Sequence, residues 1–170
     1  TMYNGPSQTA HLLEDDNNPQ RADYLARFAD REGQTFLRRF WHKYNGKSPE
    51  QIREDFLDDL HPTADRLAAV FRYLEPQATP AQLGAFLHER LPGKALSDDS
   101  LARLHERNAP EAYDLTDRGY VARVHPLELW LVGHLIAHPE ARWSEVVAAS
   151  TDERQAVYRW LFRSRHKGAR

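Results

Sequence analysis

The chain has no cysteine among its 170 residues. That excludes a disulfide framework, a thiolate nucleophile and any cysteine-based zinc site, and it fits the cytosol and a bacterial periplasm alike. Residues 1–18 have neither a basic n-region nor an apolar h-region, so they do not read as a signal peptide. The most apolar run, Leu127 to Ala137, is interrupted by Glu128, Gly133 and His134 and is too short to span a bilayer. Any membrane attachment is therefore expected to lie outside this chain, and a chain that starts at Thr1 is expected to be a piece of something longer. The eight glycines are scattered singly, which leaves no Gly-rich phosphate loop. Gly-x-Ser-x-Gly is absent as well. A net charge of -2 exerts no global pull toward nucleic acid or an anionic membrane.

What is present is an ordinary globular balance: 28% charged residues, 41% hydrophobic ones and eighteen aromatics (Trp 4, Tyr 7, Phe 7). A chain of this length is expected to form one domain and to bury about two-thirds of its unfolded surface. Apolar residues recur at helical spacing: Tyr24, Leu25 and Phe28, then Phe36, Leu37, Phe40, Trp41 and Tyr44. Gly33 is expected to break this stripe into two helices. Ser48-Pro49-Glu50-Gln51 combines a capping Ser, Pro in the first turn and Gln at the third helical position, and Thr79-Pro80-Ala81-Gln82 repeats that logic. Thr63, Ser97 and Ser150 cap further helices, and the pairs His61-Pro62 and His138-Pro139 end others.

Pro110 to Tyr113 reads as a single turn, and Asp117 to Val124 is ambiguous between helix and extended chain. A long apolar helix follows Pro126, then a short one over Trp143 to Ala148. The last helix is expected to bury Val157, Trp160 and Leu161. The fold class that results is all-α, an irregular bundle of about eight to ten short helices. Residues 1–18 form a loosely ordered lead-in, residues 19–170 a single helical domain, and residues 126–165 a helix-turn-helix-like subunit.

Candidate chemistry is sparse. Glu54, Asp55, Asp58 and Asp59 imitate paired acid and base carboxylates, since residues three or four apart share a helix face, but the plainer reading is a solvated face near a helix N-terminus. His134 and His138 sit one turn apart and match two metal ligands. Leu135 stands where the zincin pattern needs Glu, however, and the bland alternative is one hydrogen-bonded histidine and one at a helix C-terminus. The last helix carries Arg154, Arg159, Arg163 and Arg165, followed by Lys167 and Arg170. This offers a phosphate-binding face to DNA, although Trp160, Leu161 and Phe162 occupy much of the same helix and a basic C-terminal end suits the helix dipole in any case. Aromatics such as Phe40, Trp41, Tyr44, Phe71, Tyr73, Tyr120, Trp130 and Trp143 read as core by spacing, with one or two expected at the surface. An aromatic patch beside Arg or Glu there would suit a sugar or a peptide.

The run Asp117-Arg118-Gly119-Tyr120-Val121-Ala122-Arg123-Val124-His125-Pro126-Leu127-Glu128-Leu129-Trp130-Leu131-Val132, followed by Ser150-Thr151-Asp152-Glu153-Arg154-Gln155-Ala156-Val157-Tyr158-Arg159-Trp160-Leu161-Phe162, resembles an accessory segment of large bacterial envelope proteins. Those proteins carry a family 51-type peptidoglycan glycosyltransferase domain and a membrane anchor. The resemblance is strongest over Arg90 to Arg165, weaker over Phe36 to Leu91, and absent from the first twenty residues. That family uses a Glu-Asp-x-x-Phe-x-x-His-x-Gly catalytic motif. The nearest string here, Glu54-Asp55-Phe56-Leu57-Asp58-Asp59-Leu60-His61-Pro62-Thr63, has Asp58 in place of Phe and Thr63 in place of Gly.

The resemblance thus implies a non-catalytic domain on the periplasmic side of the inner membrane, with no cofactor. Its partners would be the parent glycosyltransferase domain, an envelope protein or peptidoglycan, and Trp130, Trp143, Arg159, Arg163 and Arg165 are the candidate contact residues. A helix-turn-helix-like nucleic-acid-binding module and a small metal-dependent enzyme using His134 and His138 are the alternatives.

Overall fold

A computed structural model describes the backbone of residues 19–168 and the side chains of residues 19–162. The expected lead-in over residues 1–18 lies outside the described residues. Among the described residues there are nine α-helices, one 3-10 turn and no strand. The helices are α1 (Pro19–Tyr44), α2 (Pro49–Asp58), α3 (Ala64–Leu74), α4 (Pro80–Arg90), α5 (Asp98–Arg107), α6 (Leu115–Ala122), α7 (Pro126–Ala137), α8 (Trp143–Ala149) and α9 (Thr151–Gly168), with the 3-10 turn at Pro110–Ala112 between α5 and α6.

Local chemistry sets most of the boundaries. Ser48, Thr63, Thr79 and Ser97 each accept a hydrogen bond from the backbone N–H three residues on. Thr79 and Gln82 close a full capping box. Asp114 caps α6 in the same way, which resolves the ambiguous stretch as helix. Arg123 ends α6 in the left-handed conformation, φ 61°.

α7 is apolar on nearly every side, and such a helix belongs inside rather than at a surface. Leu127, Leu129, Leu131 and Val132 are fully buried. The helix packs against α1, α2, α3, α6 and α9. α1 runs unbroken for 26 residues, contrary to the break expected at Gly33. That glycine is needed for close approach instead. A Cβ there would lie 2.7 Å from Cδ of Arg154, so the arginine stem passes directly over the α1 backbone and draws α9 against it.

The acidic face of α2 is matched to cations from other elements. Arg90 of α4 binds Glu54 and Asp58, Lys43 binds Asp59, and Lys47 binds Asp55 at 2.6 Å. Exposed pairs of this kind contribute little each, but together they give each of the four carboxylates a cation partner. Deeper in, Tyr44 is fully buried and its hydroxyl donates to Glu128 at 2.7 Å, joining α1 to α7.

Four arginines, Arg21, Arg72, Arg118 and Arg154, are buried where leucines would be the ordinary choice, and the last three bind acceptors at helix junctions. Arg118 is 2% exposed. Its guanidinium donates to the carbonyls of Ala69 (3.2 Å), Asn108 (3.0 Å) and Ala109 (2.7 Å), and its charge faces the Tyr113 ring at 5.2 Å. Arg72 donates to the carbonyls of Pro76 (2.7 Å), Ala78 (3.3 Å) and His105 (3.3 Å). Arg154 donates to the Asp30 carboxylate (2.6 Å), the Val147 carbonyl (3.0 Å), and the Ser150 (3.0 Å) and Thr151 (3.2 Å) hydroxyls. Each guanidinium gathers several acceptors, most of them at helix ends or in loops, where water would otherwise have to reach them.

Arg118→Met keeps most of the volume and removes every donor, so it should destabilise the domain by about 3 kcal/mol in urea unfolding, the range for orphaning buried polar groups. Arg118→Lys should recover less than half of that, because a point ammonium cannot reach acceptors on α3 and on the 3-10 turn together. A loss below about 1 kcal/mol for Arg118→Met would show that these carbonyls do not depend on it.

Candidate functional site

Anchoring of Arg118 fixes α6, and with it one wall of a cleft of about 410 Å³ whose other wall is α9. Asp114, Asp152, Glu153, Arg159 and Trp160 line the cleft. The N-terminal ends of α6 and α9 both open on it. Carboxylates are expected at such ends, where they satisfy free N–H groups and offset the helix dipole. Asp114 accepts from the Asp117 N–H at 2.9 Å. One oxygen of Glu153 is buried and has no hydrogen-bond partner among the described residues. Its charge reaches inward to Tyr73, whose hydroxyl is pushed up to about 12 by burial first and Glu153 second.

Asp117 titrates above its ordinary range: burial is the largest cause and the neighbouring charge of Asp114 the next, opposed by a hydrogen bond from Trp160. Negative charge therefore accumulates along this edge faster than Arg159 offsets it.

Two aromatic rings border the carboxylates. Tyr120 is 47% exposed, a large side chain left in solvent on a fold that buries most others. Its ring lies 4.3 Å from that of Trp160. Spacing groups Tyr120 with aromatics that are core except for one or two, and Tyr120 is an exposed one; Trp160, expected to be buried, is half-buried. The register of α6 explains the difference. Its buried residues are Thr116, Arg118, Gly119 and Ala122, so its packed face is built from small side chains and an arginine, and Tyr120 falls outside it. The Asp114-x-x-Asp117 cap marks the start of the helix but not its buried face.

Of the sequence-predicted contact residues, the three whose side chains are described, Trp130, Trp143 and Arg159, lie in different surroundings. Trp130 is buried, with its ring 4.8 Å from His134. Trp143 is half-buried at the start of α8, 5.9 Å from Trp41 and beneath the Arg38 guanidinium at 5.1 Å. Arg159 alone reaches the α6–α9 cleft. The side chains of Arg163 and Arg165 lie outside the described residues. Arg154, counted toward a phosphate-binding face, is 3% exposed and held by Asp30, which removes it from any such face.

His134 and His138 do meet, with ring centroids 4.6 Å apart, at an open depression of about 530 Å³ that also includes Glu140, Arg142 and Glu145. No group of three or more candidate metal ligands occurs among the described residues. Burial, then the charge of His138, lowers the His134 pKa, which favours a neutral ring.

His125 has a role that a helix-edge position only hinted at. It is the N-cap of α7, and its Nδ1 accepts from the Leu127 N–H at 3.1 Å. Its ring stacks on Phe36 at 4.7 Å and lies 5.7 Å from Phe40. Only a neutral imidazole has a lone pair at Nδ1 to accept that bond. Burial first, and the charge of Arg39 second, push its pKa below the ordinary 6.5.

A pKa lower in the folded than in the unfolded chain means that the unfolded state takes up the proton first. The stability that His125 contributes is thus complete above pH 6.5 and is lost as pH falls through the folded value. Asn also caps helices and does not titrate. Urea unfolding at pH 7.5 and pH 5 should show a smaller stability drop for His125→Asn than for the unsubstituted chain. Equal drops would mean that this cap does not titrate.

Compared with family models, with curated proteins and with solved structures, the chain matches none of them.

Proposed function

We propose that this chain is a non-catalytic accessory domain of a bacterial cell-wall glycosyltransferase-type envelope protein and that it binds peptidoglycan through the α6–α9 cleft. The observation that carries this reading is Trp160, which lines the cleft with Asp114, Asp152, Glu153 and Arg159 and packs against the exposed Tyr120 ring beside it. Sugar rings present flat C–H faces that pack on aromatic faces, and their hydroxyls donate to carboxylates. Stem peptides add free amines, which suit the excess negative charge here, and carboxylates, which suit Arg159. Tyr, Trp and Arg are also the residues that most often dominate binding surfaces.

The remaining buried polar groups support a passive role. Arg72, Arg118 and Arg154 hold helices together, Tyr44 and Glu128 join α1 to α7, and His125 caps α7. None of them is left over for acid–base or nucleophilic work. On this reading the domain acts on the periplasmic side of the inner membrane, tethered through its parent. Among the described residues no helix is long and apolar enough to cross a membrane.

Purified insoluble peptidoglycan sacculi should pull the chain into the pellet in a saturable manner. Tyr120→Ala should weaken this by about tenfold, or ~1.4 kcal/mol, while lowering the melting temperature by only about 2–4 °C, since the ring is half exposed and packs on Trp160 alone among the aromatic contacts described. The same preparation should form no glycan polymer from lipid-linked precursor. A chain that stays in the supernatant, or one that polymerises glycan, defeats the proposal.

A further inference from the structure

A second cavity, of about 330 Å³, lies between α1 and α9 and shares no lining residue with the α6–α9 cleft. Phe28, Glu32 and Phe36 recur every fourth residue on α1 and form one wall, and Tyr158, Leu161 and Phe162 of α9 form the other. Its aromatic walls are ordered edge to face: Phe28 lies 5.1 Å from Phe162 and 5.6 Å from Tyr158, both at 69°. The pocket is partly open to the surface, with Phe28, Glu32, Phe36 and Leu161 half-buried, and its volume falls at the small end of the range for ligand sites.

Two polar side chains also line it, Glu32 and His125. The Nδ1 of His125 is committed to the Leu127 N–H, so the ring's remaining nitrogen, Nε2, carries the hydrogen and acts as a donor. Glu32 is an acceptor, and its contact with a cation is a loose one, 3.5 Å to the exposed Arg31 beside it in sequence. We propose that this cavity binds a small planar heteroaromatic ligand of the indole or benzimidazole class, packed against its aromatic walls, with an N–H directed to Glu32. A ring-nitrogen acceptor, where the ligand has one, would face His125. An aliphatic ligand would forgo the ring stacking, and an anionic one would be repelled by Glu32.

The test is ¹⁹F NMR of 5-fluoroindole titrated with the full chain. Saturable broadening or shift is expected at submillimolar protein. Leu161→Trp fills the cavity and should abolish the effect. Glu32→Gln keeps the shape of the rim and removes the charge, and it should weaken binding about fivefold. Because Glu32 is at the rim, this variant decides the matter even if Leu161→Trp fails to fold. Tyr120→Ala should bind as the unsubstituted chain does, which separates this site from the peptidoglycan reading. No saturable effect with folded protein at millimolar concentration, full binding by folded Leu161→Trp, or unchanged affinity in Glu32→Gln would each overturn the proposal.

Discussion

The arrangement of this domain depends on one guanidinium placed among backbone carbonyls. Arg118 reaches from α6 to Ala69 in α3 and to Asn108 and Ala109 just beyond α5. Helix ends leave carbonyls without intrahelical partners and carry the negative pole of the helix dipole, so a rigid, planar cation with five donors suits such a junction better than an apolar side chain does. The cost is a buried charge. It is offset here by acceptors that need donors anyway and by the face of Tyr113. Since α6 is held in this way, Asp114, Asp117 and Tyr120 come to stand opposite α9, and the cleft exists.

Arg72 and Arg154 repeat the device at two other junctions. Arg72 ties α3 to the turn before α4 and to the end of α5. Arg154 ties α9 to the middle of α1 and the end of α8. Guanidinium groups stay charged across the accessible pH range, and Asp30 is held below its ordinary pKa, chiefly by its hydrogen bond from Arg154. These joints are thus insensitive to mild acid. The cap on α7 is not, because its acceptor is an imidazole.

Much of this fold is legible in the sequence because its boundaries are written in short-range chemistry. Ser48, Thr63, Thr79 and Ser97 cap the helices that their spacing to Gln or to apolar residues announces, and the apolar run after Pro126 becomes the central helix. Long-range roles are not legible. Gly33 reads as a breaker locally, and only the arrival of Arg154 from more than a hundred residues away makes it a contact point. Arg118 and Arg154 look like surface charge until the carbonyls they meet are known. The candidate site was harder still. The aromatics named as contact candidates, Trp130 and Trp143, pack in separate surroundings, in line with their core spacing, whereas Tyr120 becomes exposed because α6 turns a face of small residues and an arginine toward the core.

The same constraint links fold and proposed function, since a cleft whose walls are pinned by buried arginines is preformed and loses little entropy when a ligand arrives. Native-state amide hydrogen exchange tests the pinning most directly. Asn108, Ala109 and Ala112 lie in a short connecting segment whose amides donate only to nearby carbonyls, and such segments ordinarily exchange by local opening. If Arg118 binds this segment to α3 and α6, those amides will exchange only through global unfolding, with the same free energy as the core of α3 and α7. Exchange several kcal/mol easier than the core, on the scale of local fraying, would contradict the account.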